Sequence, residues 1–240
     1  MSPDPTAADA PAILLVGASR GIGHAMAAEF LRHGWQVVGT VREGSGRTPL
    51  HELAATAGGR VEIETLDICR PDQIAALRER LSGRMFQMLF VNAGTTNRDP
   101  TQTIGDVSTD EFIHVMLTNA LGPMRVIEGL APCIEPDGLI GVMSSGQGSI
   151  ANNTSGQREL YRGSKAALNM FMRSFAAREA ETSRRPLAVM APGWIRTALG
   201  GPDAPLALED SIPGLVEMLL AKRQSPGLDY LDYRGRTVPW

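Results

Sequence analysis

The sequence predicts a doubly wound α/β fold built on one mainly parallel, open sheet of seven strands with helices on both faces. Three observations point there. Short apolar runs recur along nearly the whole chain, with helical patterns between them. The first run, Ala12-Ile13-Leu14-Leu15-Val16, ends at a glycine-rich turn that leads directly into a helix. Several runs also lack the in-and-out alternation of a half-exposed strand, as expected for strands covered on both faces. Right-handed crossovers then bring the carboxyl ends of the strands to one edge, where ligands bind in such sheets.

At 240 residues, 43% hydrophobic, the chain is long enough for one large core. Residues 1–11 are rich in Pro, Asp and Ala and lack the basic and apolar regions of a signal peptide, so a flexible tail is expected. Residues 12–240 form the single domain. A net charge of -3 gives no electrostatic case for nucleic acid or an anionic membrane. No stretch approaches the ~20 consecutive apolar residues of a membrane span. Cys69 and Cys133 stand in unrelated contexts and suggest neither a disulfide framework nor a metal site. The expectation is a cytoplasmic protein without a metal.

Gly17-Ala18-Ser19-Arg20-Gly21-Ile22-Gly23 follows the first strand, and a helical pattern runs on to His33. Glycine is needed where backbone approaches a phosphate and where a helix packs closely on a strand. The helix start offers free N–H groups to a pyrophosphate. Trp35 to Val41 is the second strand, and it ends in Arg42 with no carboxylate. In dinucleotide folds an acidic residue here grips the ribose 2′-hydroxyl. Arg42 and Arg20 instead place cations where a 2′-phosphate would sit, which favours NADP(H), with NAD(H) the lesser choice.

Leu50 to Ala57 reads as a short helix, and Arg60 to Leu66 as a strand that stops at Asp67. Asp67, with Ile68 beside it, is the candidate adenine contact, and a turn or N-cap aspartate is the alternative reading. Pro71 opens a helix that runs to about Leu81. Met85 to Val91 is the fourth strand, and Asn92-Ala93-Gly94 supplies small residues for the adenosine to lie against. Asn92 is also expected to brace the sheet. Asp110 to Ala131 reads as one long helix carrying Asn119, an amide that must find partners if buried. It could serve as a structural brace, or bend the helix and hold a water.

Gly138 to Met143 is the fifth strand, ending at Ser144-Ser145, and a polar loop runs to Glu159. Pro186 to Met190 is the sixth, followed by Pro192-Gly193-Trp194-Ile195-Arg196-Thr197. Residues 198–205 contain two glycines and two prolines and read as a mobile flap. A final helix spans Glu209 to Lys222, and Gly235 to Trp240 is a possible edge strand.

Tyr161 and Lys165 stand four apart at the start of a long apolar helix, one turn from each other on one face. A phenol loses its proton near pH ~10. An ammonium ~4 Å away favours the phenolate by up to ~4 kcal/mol at an effective dielectric of ~20, or ~3 pKa units. That would make Tyr161 a proton donor and acceptor near neutral pH.

With these motifs in place, the chain from Ala12 to Trp240 resembles the short-chain dehydrogenase/reductases, a Rossmann-type family. The resemblance rests on the glycine loop, Asp67, Asn92-Ala93-Gly94, Asn119, Ser145, Tyr161 with Lys165, and Pro192-Gly193. Within the family, Met143 to Ser149, Tyr161 to Lys165 and Pro192 to Thr197 are similar to the C-factor and sniffer-like carbonyl reductase branch. Val91 stands where the family usually has a first asparagine, and the loop from Ser145 to Tyr161 is longer than its commonest spacing.

The resemblance implies reversible NADPH-dependent reduction of a ketone or aldehyde. Ser145 polarises the carbonyl, chosen over Ser149 because it sits at the strand end. Tyr161 gives the proton, and Lys165 holds the nicotinamide ribose and lowers the Tyr161 pKa. Asn119 holds a water that refills the proton. Thr197 and the Ile195 backbone hold the carboxamide beside Pro192 and Gly193. The resemblance also implies a dimer or tetramer built on the helices around Asn119 and Tyr161. Two other readings stay open: a C-factor-type signalling protein that binds the nucleotide without turnover, and imine or enoyl reduction on the same scaffold.

Overall fold

The computed structural model describes residues 10–181 and 183–240, so most of the expected tail lies outside the described residues. Seven parallel strands form one sheet in the order β3-β2-β1-β4-β5-β6-β7. They are β1 (Ala12–Val16), β2 (Gln36–Val41), β3 (Val61–Thr65), β4 (Phe86–Val91), β5 (Ile134–Met143), β6 (Pro186–Ala191) and β7 (Gly227–Asp232). Successive side chains on a strand point to opposite faces, and the core divides accordingly. Leu14 and Val16 join one apolar cluster, while Ile13 and Leu15 join the other.

The helices sort onto the same two faces. Helices α1 (Gly21–Arg32), α2 (Pro49–Thr56) and α7 (Leu208–Lys222) close one face through Met26, Phe30, Leu50, Leu215 and Leu219. The other is closed by α3 (Pro71–Arg80), α5 (Gly122–Leu130) and α6 (Glu159–Glu179), through Ile74, Leu77, Val126, Ile127, Leu168 and Phe175. Each fully buried side chain of this size contributes about 1.5–3 kcal/mol, so both clusters hold the strand ends rigidly. Strand order reverses between β1 and β4, which opens the ligand-facing crevice at their carboxyl ends.

Three expectations need correction. The seventh strand is Gly227–Asp232, not Gly235 to Trp240. The later segment instead folds back on it, with Val238 N–H donating to the Tyr230 carbonyl at 2.8 Å. The single long helix from Asp110 to Ala131 is in fact α4 (Thr109–Met116), a π turn (Leu117–Leu121) and α5. The expected flap is tied at its base: Ile195 and Leu206 form a bridge, and Arg196 Nη1 donates to the Ala204 and Pro205 carbonyls at 2.9 and 3.0 Å. Cys69 and Cys133 are both free. Among the described residues no helix is long and apolar enough to cross a membrane.

Candidate active site

The glycine turn after β1 is shaped by its neighbours. A Cβ on Gly17 would lie 2.7 Å from the Ala93 nitrogen, and one on Gly23 would lie 2.1 Å from the Gly17 carbonyl oxygen. Both glycines therefore serve close packing of turn, helix and β4. Gly21 differs. Its φ is +56°, and a Cβ there would meet only Thr197, at 3.8 Å. It is the bare backbone position left facing the crevice, opposite Thr197 on the segment after β6.

No side chain caps the first turn of α1, and that turn holds no acidic residue. Its free N–H groups and positive dipole end suit an anion. Arg20, in the loop with Ser19 and Ile22, is exposed, as is Arg42. Neither enters an ion pair among the described residues. Asn92 braces the turn, its Nδ2 donating to the Gly17 carbonyl at 2.8 Å. Ala93 packs on the core, and Gly94 is exposed. These groups together fit a dinucleotide with an extra phosphate.

Asp67 follows β3 and accepts from the Cys69 N–H through Oδ1 at 2.9 Å. Ile68 is buried in the core, so its side chain is unavailable to an adenine and only its backbone could reach one.

Asn119 lies in the π turn and is fully buried. Its Oδ1 accepts from the Thr95 N–H at 2.8 Å, while Nδ2 donates to the Thr95 carbonyl at 2.8 Å and to Ser164 Oγ at 2.9 Å. Both amide protons are thus spent on bracing. The strand-end loop after β4 is clamped to α6 by this one side chain. Gly94 fits between its Oδ1 and Lys165 Nζ, since a Cβ there would meet them at 3.3 and 3.4 Å.

Ser145 lies two residues past the end of β5, and its Oγ accepts from Gln147 N–H at 3.2 Å and lies near enough to the Tyr161 side chain to act on its pKa. Gly148 packs flush on α6, where a Cβ would lie 2.9 Å from Lys165 Cβ. Ser149 is buried, with its Oγ accepting from Asn152 N–H at 3.1 Å, so it stiffens the loop.

The Tyr161 and Lys165 side chains are both buried. Lys165 Nζ sits 5.9 Å from the Tyr161 ring centroid and donates to the Met143 carbonyl at 3.0 Å. The expected depression of the phenol pKa by this ammonium is not found. Burial pushes Tyr161 above the ordinary tyrosine range, opposed by the Ser145 hydrogen bond and by the Arg158 guanidinium. Burial also lowers Lys165 from 10.5 to about 8. Desolvation outweighs the pair attraction because the ammonium is turned toward a carbonyl.

Pro192 is buried, and its carbonyl accepts from Ser211 Oγ at 2.6 Å. Gly193 has φ +84°, and a Cβ would clash with Leu206 at 2.6 Å. Ile195 is buried, and Thr197 Oγ1 accepts from Gly200 N–H at 3.0 Å.

Sequence reasoning missed three participants. Asn169 lies one further turn along the Tyr161 and Lys165 face of α6, bonded to Ser144 Oγ at 2.6 Å and the Gly148 carbonyl at 3.1 Å. A polar residue every fourth place in an apolar helix was the available signal. Tyr230 on β7 donates to the Ser145 carbonyl, and nothing local in the sequence marks that contact. The third is Arg158, just before α6.

This geometry is that of an oxidoreductase class, and the chain belongs to the short-chain dehydrogenase/reductase family. A family model described as enoyl-(acyl carrier protein) reductase matches residues 17–211. A putative short-chain dehydrogenase/reductase from Burkholderia multivorans, with bound NADP, is 69% identical at a TM-score of 0.95, covering 96% of this chain and 100% of that one. A carbonyl reductase from Pseudomonas aeruginosa PAO1 in complex with NADP is 33% identical at a TM-score of 0.85, again covering 96% and 100%. The C-signal of Myxococcus xanthus is 36% identical over 143 residues, 57% of this chain and 83% of that protein.

Proposed function

We propose that this protein is an NADPH-dependent carbonyl reductase that interconverts a ketone or aldehyde and its alcohol. The observation that carries this reading is the buried Tyr161 side chain with buried Lys165 5.9 Å from its ring and Ser145 beside it, at the strand ends that the glycine turn also faces.

The α1 start, with Gly17, Ser19, Gly21, Ile22 and Gly23, would hold the pyrophosphate. Arg20 and Arg42 would meet the 2′-phosphate, and Asp67, the Ile68 backbone, Asn92, Ala93 and Gly94 the adenosine. Lys165 would bind the nicotinamide ribose, with Pro192, Gly193, Ile195 and Thr197 around the carboxamide. When bound, the reduced nucleotide supplies hydride to the carbonyl carbon. The remaining work belongs to the chain. Ser145 Oγ donates a hydrogen bond to the carbonyl oxygen and holds it beside the phenol. Tyr161 Oη gives that oxygen a proton, and its raised pKa keeps it protonated until then. Each group acts on charge that grows in the transition state. A water on the Asn119 main-chain carbonyl would return the proton through Lys165, since the Asn119 amide protons are committed elsewhere. Self-association through α4 and α6 is part of the same reading.

The test is NADPH oxidation across a panel of aldehydes and ketones, with Tyr161→Phe as the control. Turnover is expected for the wild type and absent from the variant. The similarity to C-signal favours a second reading, a nucleotide-binding signalling protein without turnover. Nucleotide binding with no oxidation of NADPH by any carbonyl would select it.

A further inference from the structure

Arg158 stands immediately before α6, three residues from Tyr161. Its backbone is left-handed, with φ 51°, and so is that of Gln157, with φ 57°. They are the only non-glycine residues with positive φ among the described residues. Side-chain-bearing residues resist this conformation, so the surroundings must impose it. Arg162 does so. Its Nε donates to the Gln157 carbonyl at 2.9 Å, and its backbone N–H donates to the Arg158 carbonyl at 2.9 Å.

The bend carries the Arg158 guanidinium over the Trp194 ring, 5.9 Å from its centroid. The indole is itself fixed, its N–H donating to the Gly200 carbonyl at 2.7 Å. Arg158 therefore joins the loop before α6 to the segment after β6. Its charge is felt at Tyr161. Yet it enters no ion pair among the described residues. Glu159, the adjacent carboxylate, is turned away and accepts from Ile104 N–H at 2.7 Å. A guanidinium carries five N–H donors in a planar fork that matches a carboxylate. Here it follows a strained backbone, with no anion to receive it among the described residues.

We propose that Arg158 selects a carboxylate-bearing carbonyl substrate, binding the carboxylate while the carbonyl oxygen meets Ser145 and Tyr161. This rests on the reductase reading above.

The experiment compares benzoylformate, levulinate and pyruvate with their methyl esters, in the wild type, Arg158→Ala and Arg158→Lys. For at least one pair, the wild type is expected to favour the acid in kcat/KM by roughly 10- to 100-fold, the range of a hydrogen bond to a charged group. Arg158→Ala is expected to lose that preference, with kcat/KM falling further on the acid than on the ester, and Arg158→Lys to keep part of it. Equal losses on acid and ester would assign Arg158 to bracing Trp194 alone and overturn the proposal, as would a wild type that does not discriminate. Binding of the corresponding hydroxy acids and hydroxy esters to NADP-loaded protein, followed by calorimetry, reads the same preference without turnover. Acid-selective binding that depends on Arg158 supports the proposal even if no carbonyl is reduced, a result that sinks only the reductase reading. No selectivity in that measurement overturns the proposal directly.

Discussion

Lys165 shows what the site requires of a single residue. A buried ammonium whose pKa falls from 10.5 to about 8 carries its charge at neutral pH against desolvation. At pH 7 both folded and unfolded chains hold the proton, and the buried charge costs roughly 3 kcal/mol, at ~1.4 kcal/mol per pKa unit. Between pH 8 and 10.5 the unfolded chain keeps a proton that the folded chain has shed, so this group makes stability rise with pH. Lys165→Met is therefore expected to be more stable than the wild type at pH 7, by up to ~3 kcal/mol. The gap should close toward pH 10.5, as read by urea unfolding without nucleotide. A gap that widens with pH would contradict the buried-charge account. Tyr161→Phe removes only the hydroxyl, so NADPH binding should survive while turnover is lost; fluorescence titration and an oxidation assay separate the two. Arg42→Asp replaces a cation at the end of β2 by a carboxylate suited to a ribose hydroxyl. It should lower kcat/KM for NADPH roughly 10- to 100-fold and raise it for NADH. Unchanged coenzyme preference would remove Arg42 from the 2′-phosphate site.

At the scale of elements, the contact between α1 and the strand ends leaves no room for a side chain. Gly23→Ala puts a methyl 2.1 Å from the Gly17 carbonyl oxygen and 2.7 Å from Asn92 Nδ2. Helix α1 must move away, at a cost of about 1–3 kcal/mol or more. A lowered Tm together with weakened NADPH binding is expected, and an unchanged Tm would show that the turn has slack. This contact was legible in the sequence because glycine is required there for a local reason. Strands β1, β2 and β4 to β6 were legible for a similar one, as their apolar runs report burial on both faces, and β3 was legible from the alternation of Val61-Glu62-Ile63-Glu64. Strand β7 was not. Leu228-Asp229-Tyr230-Leu231-Asp232 mixes charge into an edge, and its place is set by pairing with β6. The π turn at Leu117–Leu121 was invisible for another reason. It comes from Asn119 reaching Thr95 and Ser164, residues 24 and 45 positions away. The phenol pKa was misjudged because spacing gave the Tyr161–Lys165 neighbourhood but not the direction of the ammonium, which Met143 decides.

The whole molecule leaves large apolar side chains open on α4, on α6 and on the segment before α4. Ile104, Phe112, Ile113, Met170 and Phe171 are each more than 40% exposed, although large side chains of this kind normally lie inside. Ile104 and Phe112 line a groove with Gly163 on α6. Met170 follows Gly163 at a seven-residue interval, so it continues the same face of that helix two turns on. Contiguous patches of this kind mark association surfaces, and a second copy of the chain is the occupant that the family resemblance implies. The wild type should then run in light scattering at two or four times 25.7 kDa. Phe112→Glu combined with Met170→Glu should run as a monomer with native near-UV dichroism. Glu159 accepts from Ile104 N–H at this same face, one residue from Arg158 and two from Tyr161. Coverage of the face therefore steadies the start of α6, while the glycine turn and Arg42 belong to other elements. The monomeric variant is expected to bind NADPH like the wild type but to turn over more slowly, and a monomeric wild type would refute the assembly.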